Sequence, residues 1–199
     1  MPAPEPRLAP ARERLLAAAS TEFYAKGITA TGVDTIVSSA GVAKMSLYNN
    51  FSSKDELVTA YLEERHEEWL ALFRERHARA ETPAARVLAV FDAYADHANS
   101  AYPDGWRGCG LLNAAAEFPS GHPGRVAVRR HKDEVEAILT RELGAFTDDP
   151  APLAAHLALL LEGSMAKSGL AGNDAWVMTA RALAASLLPG DPTQPGSAV

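Results

Sequence analysis

Cysteine is almost absent from this chain: Cys109 is the one thiol in 199 residues. A single cysteine forms no internal disulfide, which excludes a disulfide-stapled fold and points to a reducing compartment. Long apolar runs are missing too, and none approaches the ~20 residues that span a bilayer. The opening MPAPEPRLAPARERLL lacks a continuous apolar stretch and is rich in proline and charge, so it does not read as a signal peptide. The expectation is a cytoplasmic protein with no membrane partner. Aromatics make up only 7% of the chain, and β-branched residues are sparse beside Ala, Leu, Glu and Arg. That disfavours strands and favours helices. No His-x3-His pair stands beside a cysteine or a carboxylate cluster, so no metal is expected, and no cofactor. Nothing like a nucleophile elbow or a phosphate loop accompanies Cys109, which reads as a buried, inert thiol rather than a catalytic one. An enzyme is not expected.

Positive charge is also in short supply. Lys and Arg total 19 against 25 Asp and Glu, for a net charge of −6. A protein that coats nucleic acid non-specifically is excluded. The deficit is uneven, however. Residues 1–56 hold six cations (Arg7, Arg12, Arg14, Lys26, Lys44, Lys54) and six acids (Glu5, Glu13, Glu22, Asp34, Asp55, Glu56), so the whole excess of acid lies beyond them. A neutral head on an acidic body can still bind DNA if its few cations face one way.

What the chain does have is helical periodicity and helix punctuation. An all-α fold of about nine helices is expected, between a proline-rich tail over 1–9 and a second tail over 189–199. Leu15, Ala18, Ala19 and Phe23 share a face that Gly27 closes. Thr31-Gly32-Val33-Asp34 has capping-box form, with Asp in place of the usual Glu or Gln. Val33, Ile36 and Val37 then point inward, Gly41-Val42 makes a tight turn, and a second short helix follows to about Asn49. Ser53-Lys54-Asp55-Glu56 is a complete capping box and opens a long helix to about Arg79. Thr82-Pro83 opens the next, with the stripe Val87, Leu88, Phe91, Tyr94, Ala95 and Ala98. A turn at 102–105 and helices over 106–117 and 123–145 follow. The last two helices run from Asp149-Pro150 to about Gly169, and from an Asn173 cap to Leu188. Two units are expected: a three-helix head at 10–56 and a helical body at 57–188.

Two unusually short helices joined by Ala40-Gly41-Val42 have the form of a helix-turn-helix. The second carries Lys44, Ser46, Asn49 and Asn50 as donors and no acid, while Tyr48 can place its hydroxyl on a phosphate. Asn bonds adenine bidentately in the major groove, and Lys reaches guanine or phosphate. Residues 11–56, with ITATGVDTIVSSAGVAKMSLYNNFSSKDEL at their centre, resemble the DNA-binding domain of the TetR family of bacterial regulators. The resemblance implies phosphate contacts for Thr31, Tyr48 and Lys54. It places Lys44, Met45, Ser46 and Asn49 at or near base edges. Asn50 stands where the family often has His, a backbone contact. Gly32 stands where the family often has Ser, and Asn49-Asn50 replaces a more usual basic or aromatic pair.

The resemblance further implies a variable helical domain holding a small-molecule inducer, a homodimer, and a palindromic double-stranded operator. Its segment GCGLLNAAAEFPSGHP is similar to a stretch in one subset of the family. Cys109, Asn113 and Glu117 share a helical face at i, i+4, i+8. They read either as satisfied core groups or as the polar points of a pocket walled by Trp69, Phe73, Phe91, Tyr94 and Trp106. As the one acid there, Glu117 favours a cationic or hydrogen-bond-donating ligand. Leu153, Leu157 and Leu160 on one late helix, and Trp176, Ala180, Leu183 and Leu187 on the other, are the candidate dimer surface. The leading reading is thus a ligand-released repressor. A small helical enzyme or carrier with a merely structural 31–51 is the alternative from another class. A DNA-binding activator, or a regulator without inducer, is the alternative within the class.

Overall fold

The computed structural model describes residues 10–100 and 105–189. Both expected tails and most of the expected turn at 102–105 lie outside those residues, apart from Pro189. Among the described residues there are nine helices and no strand: α1 (Ala11–Lys26), α2 (Val33–Ala40), α3 (Lys44–Asn50), α4 (Lys54–Ala78), α5 (Pro83–Ala98), α6 (Gly110–Ala116), α7 (Pro123–Leu143), α8 (Ala151–Ala171) and α9 (Ala175–Leu187). The all-α expectation is met. No helix among the described residues is long and apolar enough to cross a membrane.

The head packs α1, α2 and α3 around Leu15, Ala19, Phe23, Ile36, Leu47 and Phe51, all buried. Gly41 closes α2 in the left-handed region at φ 62°, where a side chain is costly and glycine is not. Arg14 on α1 steadies that turn, donating to the Ala40 carbonyl at 3.1 Å and the Gly41 carbonyl at 2.6 Å. The capping box expected at Thr31 does not form. Gly32 is the N-cap of α2 and makes no side-chain bond. Thr31 is buried instead and its hydroxyl donates to the carbonyls of Gly27 and Glu22. At α4 the Ser53 half of the box forms, with Ser53 Oγ accepting from Glu56 N at 3.1 Å, while the Glu56 carboxylate reaches one residue past the N-cap and accepts from Ser52 N and Oγ.

α4 is 25 residues long and belongs to both units. Its first turns bury Leu57, Val58 and Tyr61, with the Tyr61 ring edge-on to Phe23 of α1 at 5.5 Å. Its later turns bury Trp69 and Phe73 in the body. The boundary expected at 56/57 therefore falls inside a continuous helix. The body stacks α4, α5, α7 and α8 around Val87, Val90, Phe91, Tyr94, Val135, Leu139 and Leu157, all at 3% exposure or less. Each large side chain so buried contributes roughly 1.5–3 kcal/mol. α6 starts at Gly110, later than the expected 106, because Gly108 takes φ 86° and its backbone lies directly on α8. A Cβ on Gly169 would meet Gly108 Cα at 2.7 Å, so this crossing requires glycine.

Candidate DNA-reading face and sensor body

α3 presents one side chain inward and several outward. Leu47 is fully buried, whereas Met45 is 67% and Tyr48 48% exposed. Lys44 and Asn49 are exposed beside them, and Ser46 and Asn50 are half-buried. α2 and the Gly41 turn hold this face outward. Lys44 Nζ pairs with Asp34 of α2 at 2.8 Å, and that bond raises the lysine's pKa. Asn50 donates to the Ser46 carbonyl at 2.7 Å, and Lys54 donates to the Ile28 carbonyl at 2.6 Å. The expected reading residues thus divide. Lys44, Met45, Tyr48 and Asn49 share the open face with half-buried Ser46. Asn50 and Lys54 are anchored to backbone at its margin. Thr31 is not on the face at all, because its hydroxyl is turned inward onto carbonyls.

In the body, Trp69, Phe73 and Tyr94 come together as expected. Trp69 stacks on Phe73 at 5.6 Å between centroids and tilts against Tyr94 at 5.1 Å. Phe91 is fully buried in α5 nearby in sequence, and Trp106 packs against His97 and Tyr24 instead. All five rings are buried, at 7% exposure or less. A residue that the sequence reading passed over sits at their centre. His131 of α7 is 2% exposed, bonds Tyr94 Oη at 3.0 Å through Nε2, and meets His66 Nδ1 at 2.9 Å through Nδ1. Burial, with the Lys132, His66 and His97 charges, drives its pKa down to about 2. Lys132 beside it pairs with Glu162 at 2.8 Å and donates to Tyr94 Oη and, at 3.7 Å, to Cys109 Sγ. Burial alone would discharge that ammonium; the facing Cys109, Tyr94 and Glu162 groups outweigh it and raise its pKa.

Asn113 and Glu117 leave this group altogether. Asn113 bonds the Arg107 carbonyl at 3.1 Å. Glu117 reaches the head, where its two oxygens accept from Ile28 N at 2.8 Å and Thr29 N at 2.7 Å. Burial would raise its pKa, but those backbone donors outweigh burial and hold it below the ordinary carboxylate value. Glu117 is therefore apart from the aromatic group and borders instead a cleft of about 340 Å³ at the joint with the head, together with Tyr24, Arg107 and Asn113. Cys109 is at the floor of an open cleft of about 510 Å³ between the 107–109 loop, α6 and α8, lined also by Arg107, Leu112, Asn113 and Met165. No cluster able to hold a metal ion occurs among the described residues.

The candidate dimer residues also divide. Leu157 (0%) and Ala180 (3%) are spent on the chain's own core, while Trp176 (40%), Leu183 (48%) and Leu187 (46%) stand in solvent. Leu153 and Leu160 are half-buried. Leu159 at 72% and Leu170 at 92% join the exposed set.

A short turn-linked helix pair with an outward, acid-free second helix, mounted on a larger helical body, defines a helix-turn-helix DNA-binding regulator. The model for bacterial regulatory proteins of the tetR family matches residues 15–61. A TetR-family transcriptional regulator from Streptomyces coelicolor, SCO4454, is 32% identical over 88% of this chain and 92% of its own, with a TM-score of 0.80. A TetR-type regulator from Streptomyces avermitilis is 30% identical over 88% and 98%, with a TM-score of 0.72. The chain belongs to the TetR family and is a DNA-binding transcription regulator, not an enzyme. Two curated relatives from Mycolicibacterium smegmatis match over the first part of the chain. The transcriptional activator FasR is 36% identical over 85 residues, and the transcriptional repressor KstR2 is 32% identical over 82 residues. Those matches span 39% and 40% of the relatives' lengths.

Proposed function

We propose that this regulator is a homodimeric repressor that binds a palindromic operator and releases it when a small molecule occupies the helical body. The observation that carries the reading is the apolar face left open on α8 and α9. Leu159, Leu170, Trp176, Leu183 and Leu187 are each at least 40% exposed, and a monomer gains nothing from exposing that many large apolar side chains on two adjacent helices. A two-fold axis would pair the two helices into a four-helix interface. It would also set two α3 helices side by side, as a palindrome requires. On DNA, Lys44, Met45, Ser46 and Asn49 address base edges, while Tyr48, Asn50 and Lys54 lie against phosphates. Thr31 supports the fold of the head rather than the DNA. The cleft at Cys109 is the candidate inducer site, since its volume suits a small ligand and its rim carries Arg107 and Asn113, which adjoin the head. Operation in the cytoplasm follows from this role.

Light scattering at micromolar concentration should return twice the chain mass. A fragment carrying the promoter of the adjoining gene should bind with strongly salt-dependent affinity, and transcription from it in vitro should fall as protein is added. A monomer mass overturns the dimer, and a rise in transcription replaces repression by the activation named for FasR.

A further inference from the structure

The head is held to the body by more than α4. Arg107, in the loop before α6, donates its guanidinium to the carbonyls of Tyr24 and Ala25 at the end of α1. Its backbone N–H donates to Tyr24 Oη at 2.6 Å, and that hydroxyl donates to the Gly108 carbonyl at 3.1 Å. Glu117, the C-cap residue of α6, takes the N–H groups of Ile28 and Thr29 just past Gly27. A cation therefore meets the carbonyl end of a helix, where orphan acceptors and the dipole favour it. A carboxylate meets the two donors that follow. Gly27 lies so close under Glu117 that a Cβ would come within 2.9 Å of its Oε1.

The other end of this clasp is fixed as firmly. Gly108, next to Arg107, rests backbone to backbone on Gly169 of α8. Leu170, adjacent in α8, is 92% exposed and part of the open apolar face. The path from that face to the reader is thus only a few residues long: α8, Gly169, Gly108, Arg107, α1.

We propose that Arg107 and Glu117 are positioning residues for DNA recognition, clasping the reader to the body at the angle that fixes the spacing between the two half-sites it accepts. This rests on the dimer reading above. One base pair more between half-sites moves the far site by about 3.4 Å and turns it by about 35°. A reader held at α4 alone can follow such a change by pivoting; a reader also held through Arg107 and Glu117 cannot.

The test selects duplexes from a random-sequence pool with the wild-type protein, then measures binding by fluorescence anisotropy to the selected site and to versions with one or two base pairs added or removed between half-sites. The wild type should lose at least about tenfold on a one-base-pair change. Arg107→Ala/Glu117→Ala, and the milder Glu117→Gln, should lose at most two- to threefold, while selecting the same half-site sequence. Spin labels at Ser39→Cys in a Cys109→Ser background should give one narrow inter-reader distance with the clasp intact and a broad distribution without it. Unchanged spacing profiles and an unchanged distance distribution in the variants overturn the proposal. A wild type that is monomeric and selects a lone half-site overturns the dimer reading instead, and the light-scattering mass tells the two failures apart.

Discussion

His131 gives the protein a stability that depends on pH in a definite direction. In the folded chain its ring is enclosed by Tyr94 of α5, His66 and Trp69 of α4, and the Lys132 ammonium next to it. Burial and the nearby positive charges keep it neutral down to about pH 2, against an ordinary value of 6.5. An unfolded chain takes up that proton near pH 6.5 and the folded chain does not, so the unfolded state binds more protons and stability rises with pH. The contribution is complete above the ordinary value and is lost as pH falls below it. Between pH 7.5 and 5.5 the loss from this one group is about 1.4 kcal/mol, and each further unit of acid removes about as much again. His97, half-buried and lowered to about 4 by burial with the Arg65 and Lys132 charges, adds in the same sense. The lowered carboxylates Glu56 and Glu117 titrate below this window. Urea titrations at pH 7.5, 6.5 and 5.5, at fixed ionic strength and protein concentration, read the slope directly. His131→Gln lowers the absolute stability because it breaks the Tyr94 and His66 bonds, but it should also remove roughly half of the pH slope. A wild-type midpoint that does not move between pH 7.5 and 5.5, or a variant that keeps the full slope, refutes a neutral buried imidazole.

Other perturbations separate the roles assigned to the head and the face. Tyr48→Phe and Lys54→Ala should weaken binding to selected and random duplexes alike and flatten the salt dependence, whereas Asn49→Ala should cost about 1–3 kcal/mol at one base pair only; competition binding assays read both. Leu183→Asp should convert the dimer to soluble monomer by light scattering, because an unpaired charge would enter an apolar interface without disturbing the chain's own core. Leu157→Asp should unfold the chain instead, since that side chain is fully buried. Ser53→Ala removes the acceptor for Glu56 N and should lower the urea-derived stability by about 1 kcal/mol, with little change in DNA sequence preference.

The head was legible in the sequence because its signals are local. Glycine at the closing turns, the Ser53 cap of α4 and the short apolar spacings each act within four residues, and each appears where the pattern puts it. Thr31 is the exception, and the reason is competition: its hydroxyl reaches the Gly27 and Glu22 carbonyls more readily than the N–H groups of α2. In the body the spacing revealed faces but not what they face. Asn113 and Glu117 do lie on a polar stripe of the 109–117 segment, yet their partners come from Arg107 and from the head. Leu157 and Ala180 do sit on apolar stripes, yet α8 and α9 bury them against their own chain and turn Leu159 and Leu183 outward. His131 could have been found. It occupies the stripe Val128, His131, Val135, Ile138, whose i, i+3, i+4 spacing marks the buried face of α7, and a histidine in such a row is enclosed.

The geometry of the joint explains why a polar stripe stands on α6 at all. A body joined to its reader by one helix fixes the distance between them but leaves the angle to the α1–α4 packing, where the Phe23–Tyr61 contact is non-directional and the Ser20–Glu64 bond of 3.2 Å is one directional restraint. Directional hydrogen bonds at a second point fix that angle. Apolar groups there would hold the surfaces together without fixing the angle, and an unpaired charge would cost more than it contributes. A guanidinium on helix-end carbonyls and a carboxylate on two adjacent N–H groups satisfy both requirements, since each is charge-assisted and has one good geometry. Anything that shifts the 107–109 loop, including a ligand in the cleft beside Cys109, would then change the reader's angle before it changed the packing of α4. If the proposed ligand releases DNA by this route, it would do so by displacing Gly108 on Gly169, and by reciprocity bound operator should weaken that ligand by the same factor that the ligand weakens operator.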